Sequence, residues 1–88
     1  MTEQQFQSEI RHAQTMERLE HEPGRADYWS GYMRGVRRSF HGADFGNEVE
    51  HALWLSLTGD EDESRNQRGL GYRAGLAFDY GTRNPDPD

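Results

Sequence analysis

Two glycine pairs constrain this chain more than any other feature. Gly31-Tyr32-Met33-Arg34-Gly35 is echoed by Gly71-Tyr72-Arg73-Ala74-Gly75, forty residues later. At the same offset Arg25 matches Arg65, Val36 matches Leu76 and Phe40 matches Tyr80. Both stretches lie inside patterns that otherwise read as helix. A glycine inside a helix costs about 1 kcal/mol relative to alanine. Two pairs spaced four apart therefore need a compensating contact. Glycines at i and i+4 share one helix face, and a face without side chains lets a second backbone or a large ring come close. The spacing predicts a tight crossing of the two helices, with Tyr32 and Tyr72 beside it. The alternative is that the glycines make room for a ligand. Two copies fall short of the three or more repeats a solenoid needs.

The rest of the chain supplies a small helical frame for this crossing. Eighty-eight residues bound it to one domain. Thr2 and Gln5 have capping-box spacing, and Phe6, Ile10, Ala13, Met16 and Leu19 form one stripe. They predict a helix from about Thr2 to Glu20, with Glu3, Glu9, Arg11, Glu17 and Arg18 on its other face. Pro23-Gly24 breaks it. A second helix is expected from Ala26 or Asp27 to His41, with Asp27 as N-cap, and Trp29, Tyr32 or Met33, Val36 and Phe40 buried. Gly42 suits its end. A third is expected from Glu48 to Thr58, capped by Asn47 with Glu50, facing inward through Val49, Ala52, Leu53 and Leu57. Gly59 ends it. Asp60 with Glu63 starts a fourth helix running to about Asp79. The expected fold class is all-α, a small bundle of about four helices over residues 1–80, with a flexible C-terminal tail over 81–88.

Composition narrows the function. Only 32% of residues are apolar and mean hydropathy is -1.15, close to disordered composition. Ten aromatic residues counter that, because each can bury a large area. The absence of cysteine excludes disulfides and thiol chemistry, and fits a cytoplasmic location. The strongest apolar run, Ala52 to Leu57, is far short of the roughly 20 residues of a membrane span. The polar N-terminus shows no signal peptide.

Charge is segregated. The net charge is -6, and all ten basic residues are arginine. Residues 23–43 carry a net +3, whereas residues 44–63 carry seven acids and no base. Biased genome composition accounts for arginine usage; so does arginine's bidentate geometry, which lysine lacks.

Catalytic signals are weak. His12, His21, His41 and His51 show no His-Glu-x-x-His pattern, and no cysteine can complete a zinc site. His41, His51 and Asp44 could meet around a metal, but a helix-capping His41 and a boundary His51 account for them better, so neither metal nor cofactor is expected. Ser30, Ser39, Ser56 and Ser64 lack a nucleophile elbow. Gly69-Leu70-Gly71 follows no strand, so it is not a phosphate loop. The chain reads as a non-enzyme.

Two binding surfaces are candidates. Acids spaced along a surface can imitate phosphates and compete for the cationic face of a nucleic-acid-binding protein. That surface comprises Glu48, Glu50, Asp60, Glu61, Asp62 and Glu63, with Trp54 as an anchor because helical spacing turns it about 100° from Leu53. The same acids are also accounted for by capping and solubility. The alternative is a phosphate-binding face made of Arg34, Arg37 and Arg38 on the second helix.

The stretch RADYWSGYMRGVRRSFHGADFGNEVEHALWL, from Arg25 to Leu55, with the later RGLGYRAGL, resembles small proteins encoded by phages and mobile elements of Gram-negative bacteria. Small size, acidity, lack of cysteine and absence of catalytic signals also resemble the anti-CRISPR proteins as a class. That resemblance implies a phage inhibitor that binds a Cas protein or CRISPR effector complex in the host cytoplasm. The class has no common motif, so it assigns no residue a role.

Overall fold

The computed structural model describes residues 2–42 and 45–78. Among them are four helices and no strand: α1 (Glu3–Leu19), α2 (Pro23–His41), α3 (Glu48–Ser56) and α4 (Glu63–Leu76). The fourth helix ends at Leu76, short of the expected end at about Asp79, and the Phe40–Tyr80 match and the 81–88 tail lie outside the described residues.

The start of α1 follows the capping box. Thr2 Oγ1 accepts from the Gln5 amide, and the Gln5 side chain accepts from the Thr2 amide. Phe6, Ile10 and Ala13 are buried, but Leu19 at the helix end is 66% exposed. Glu9, expected on the outer face, is instead fully buried, and the Tyr32 hydroxyl donates to its carboxylate. A helical stripe identifies apolar positions. It cannot show that a tyrosine on the next helix will supply a donor to an acid beside them.

The second helix starts earlier than expected, because Pro23 occupies its first turn, where a missing N–H costs nothing. Glu22 is the N-cap and makes no side-chain cap bond. Asp27, expected as that cap, lies within the helix. Its carboxylate accepts from Ser64 Oγ at 2.6 Å and Arg68 Nε at 3.2 Å, near the N-terminus of α4. The chain leaves α2 through Gly42 at φ 66°, a backbone conformation that strains other residues.

Phe6 stacks on Phe40 at 4.4 Å and His12 meets Trp29 at 5.9 Å, so α1 runs antiparallel to α2. Their contact, with Tyr32, Met33 and Val36, forms the core.

The largest contact is between α2 and α4, which run parallel. A Cβ added to Gly31 would lie 2.1 Å from the Arg68 carbonyl oxygen, and one on Gly71 would lie 1.9 Å from that of Tyr28. A Cβ on Gly35 would meet the Tyr72 carbonyl at 2.2 Å, and one on Gly75 the Tyr32 carbonyl at 2.2 Å. Each glycine thus faces the carbonyl three residues before its counterpart in the other copy. The two copies make a reciprocal, pseudo-twofold crossing, with glycine Cα–H groups turned toward facing carbonyls. Backbone fills the space, so the ligand alternative for these glycines has no room.

Candidate protein-binding surface

The third helix is capped as expected, with Asn47 Oδ1 accepting from the Glu50 amide at 2.9 Å. Its rotation differs from expectation. Val49 is 78% exposed and Leu53 57%, and Ala52 is exposed as well. Of the four expected inward residues only Leu57, in the turn after the helix, is half-buried. The inward face is carried by Glu50, His51 and Trp54. Arg34 of α2 donates to Glu50 at 2.8 Å, and its guanidinium lies 4.8 Å from the Trp54 ring and 5.3 Å from that of Phe45. His51 Nδ1 and the Tyr72 hydroxyl are 2.6 Å apart, and Trp54 packs on Tyr72 at 5.7 Å. The helix is held by polar and π contacts, and none of its residues is fully buried.

These contacts redistribute the candidate residues. Arg38 donates to Glu48 at 2.7 Å and to the Phe45 carbonyl. Both glutamates of α3 therefore neutralise two of the three arginines, Arg34 and Arg38, that made α2 a candidate phosphate face. Phosphate binding through Arg34, Arg37 and Arg38 would require two ion pairs to open. Trp54, considered as an exposed anchor, is half-buried between Arg34 and Tyr72.

The acids after α3 remain outside. Glu61, Asp62 and Glu63 are exposed and Asp60 is half-exposed. The helix starts at Glu63 rather than Asp60, because Asp62 is the N-cap and accepts from the Ser64 amide at 3.1 Å. Asp60 accepts from the Asp62 amide, and Glu63 from Gln67 Nε2. Next to this turn, Leu53, Trp54, Ser56 and Leu57 form one wall of an open cleft rimmed by Asp60, Arg65 and Arg68.

The outer strip of α3 was missed in the sequence because apolar residues surround the helix almost completely, and periodicity then selects no face. The available signal lay in charge: Arg34 and Arg38 fix the rotation by taking Glu50 and Glu48.

Among the described residues no cluster of three or more His, Asp or Glu side chains could hold a metal. Asp44 of the suggested trio lies outside them. The His41 ring packs against Phe6, Phe40 and Phe45. No helix among the described residues is long and apolar enough to cross a membrane.

The Arg38 guanidinium holds the Glu48 carboxyl below its ordinary value of 4.5. A carboxylate with a lowered folded value adds stability above its unfolded value and loses it as pH falls through the folded one. Glu48→Gln should therefore lower the melting temperature slightly at neutral pH, and the gap to the wild type should narrow as the pH falls below 4.5 through the folded value. Thermal melts from neutral to acid pH measure it.

No family model, curated protein or solved structure matches this chain.

Proposed function

We propose that this chain is a non-enzymatic inhibitor that binds a protein partner through the acidic turn joining α3 to α4. One observation supports the reading most: Glu61, Asp62 and Glu63 are exposed on this turn, with Asp62 reached by Arg65 at 3.7 Å, whereas Glu48 and Glu50 are held by α2. An exposed acidic tip fits a cationic groove of the kind that binds nucleic acid, and masks it by occupying it. The resemblance to anti-CRISPR proteins makes a bacterial Cas effector complex the first partner to test. The docking surface is then Asp60 to Glu63, next to the cleft that Trp54 helps to line, while Glu48 and Glu50 stay engaged with Arg38 and Arg34.

The test keeps the helix intact. Asp62 must stay, because it caps α4 and its loss would cost about 1 kcal/mol. Glu61→Lys with Glu63→Lys should slow association with a purified Cas complex and reduce its salt sensitivity, since rim charges act mainly on encounter. Surface-plasmon kinetics at two salt concentrations measure both. Unchanged kinetics would assign the acids to capping and solubility alone. A gel shift with generic duplexes tests the arginine face, whose binding would fall steeply with salt.

A further inference from the structure

We propose that α3 is an autoinhibitory lid over a phosphate-binding face of α2, closed by its own glutamates and opening from its N-terminal end. Arg34, Arg37 and Arg38 stand at i, i+3 and i+4, within one arc of about 100° on α2. Arg38 holds the Glu48 carboxylate at 2.7 Å and Arg34 holds that of Glu50 at 2.8 Å. The face is therefore an anion site that already has occupants, and both are carboxylates of the same chain. Arg37 takes part in neither pair. A ligand carrying a row of phosphates engages all three guanidiniums, one more than the lid does. Guanidinium also pairs bidentately with phosphate.

The two ends of α3 are held differently. At the C-terminal end, Arg73 of α4 donates to the Leu55 carbonyl at 3.1 Å and to Thr58 Oγ1 at 2.9 Å. The backbone there lies so close to α4 that a Cβ on Gly69 would stand 2.5 Å from the Thr58 amide nitrogen. Trp54 packs on the Tyr72 ring between the two ends. The N-terminal half has no comparable support. Val49 faces solvent, and Glu48, Glu50 and His51 reach Arg38, Arg34 and Tyr72 through side chains alone. The two glutamate side chains are 76% and 47% exposed, and ion pairs this open to water hold weakly.

The connection permits the movement. Gly42 and Gly46, at φ 66° and 72°, stand between α2 and α3, where glycine turns at little cost. Elements with few buried apolar contacts open on their own while the rest of a fold stays intact. The lid thus lifts about its pinned C-terminal end, and the glycine crossing of α2 and α4 remains closed. Lifting takes two acids away from a stretch, residues 23–43, that carries a net +3. With the lid down, a net charge of -6 and two occupied arginines keep polyanions off. The lid uses neither Glu61 nor Glu63, so it stands independently of the proposed docking turn.

Hydrogen exchange and a binding assay on the full chain test the proposal. In the wild type, the amides of residues 51–56 should exchange about tenfold or more faster than those in the middle of α2. Glu48→Gln with Glu50→Gln should keep the helical circular dichroism spectrum. At low salt it should bind inorganic tripolyphosphate, or a short DNA duplex, about tenfold more tightly than the wild type. A gain for tripolyphosphate alone assigns the face to free phosphate chains, and a gain for the duplex assigns it to a nucleic-acid backbone. Glu61→Gln with Glu63→Gln removes the same two charges away from the lid and should gain far less. Adding Arg37→Gln to the lid variant should remove most of its gain. Amides of α3 that exchange no faster than those of α2 overturn the proposal. So does a folded lid variant with no gain for either probe, or a gain matched by the Glu61 and Glu63 variant.

Discussion

Gly35→Leu should cost about 3 kcal/mol or more, at or beyond the upper end of ordinary core overpacking. In most cores a larger side chain is absorbed by neighbouring side chains that shift. Here the new atoms would meet the Tyr72 carbonyl, the Gly75 Cα and the Leu76 amide, all of them backbone. Relief requires α2 and α4 to separate, and with them the largest contact in the molecule. A chain of this length has only roughly 4–13 kcal/mol of stability, so the variant should be largely unfolded or close to it. Gly31→Ala, Gly71→Ala and Gly75→Ala should be milder in the same direction. Gly24→Ala is the control. Its Cβ would meet only Gln67 Cγ at 3.6 Å, an ordinary contact, so it should be neutral or stabilising by up to about 1 kcal/mol. Urea melts across the series measure this. Equal losses at Gly24 and Gly35 would show that helix propensity, and not the crossing, governs these sites.

Tyr72→Ala should destabilise by about 3–5 kcal/mol, the range for deleting a buried aromatic ring. Tyr72 is 2% exposed and joins the parts of the bundle. Its ring packs on Trp54, its hydroxyl meets His51, and its carbonyl lies against Gly35. Removing the ring loosens α3 from α4, which Arg73 still holds through Leu55 and Thr58, and opens a cavity at the crossing. Tyr72→Phe should lose only about 1 kcal/mol, the hydrogen bond to His51. It should also change the alkaline limb. Burial pushes the Tyr72 phenol above its ordinary value of 10.0. In alkali the unfolded chain ionises first while the folded chain still holds its proton, so wild-type stability falls as pH rises past 10 toward the folded value. Tyr72→Phe should lack that part of the fall. Guanidinium melts from neutral to alkaline pH measure both effects, and parallel alkaline limbs would mean that Tyr72 is solvated.

Features set by short-range chemistry are legible in the amino-acid sequence. The Thr2 and Asn47 caps are of this kind, as are the apolar stripe of α1 through Ala13, the break at Pro23 and the helical class itself. The crossing is legible too, because glycine in a helix carries a cost that only close approach offsets. The misplaced residues are those whose partners lie far along the chain. Asp27 resembles an N-cap until Ser64 and Arg68 arrive beside it. Glu9 resembles a surface acid until Tyr32 turns its hydroxyl toward it. Asp60 and Asp62 offer competing starts for α4, and the cap fell to the residue whose carboxylate reaches the Ser64 amide.

Local hydrogen bonding, backbone freedom and helical spacing act within a few residues. They dictate that helices form, where the first and third begin, and that the second and fourth touch through glycine. The parallel direction of those two helices, and the face that α3 turns outward, come instead from packing between distant segments. An apolar helix such as α3 can turn almost any side inward at similar cost from its own residues. Its rotation was fixed by Arg34 and Arg38 of α2, whose long side chains reach Glu50 and Glu48, and by Tyr72 of α4, which meets His51 and Trp54. The same pairing engages Arg34 and Arg38 of α2 with Glu50 and Glu48 at the start of α3 and leaves Arg37 out. It left the acidic turn and the strip Val49, Ala52, Leu53 and Ser56 facing outward.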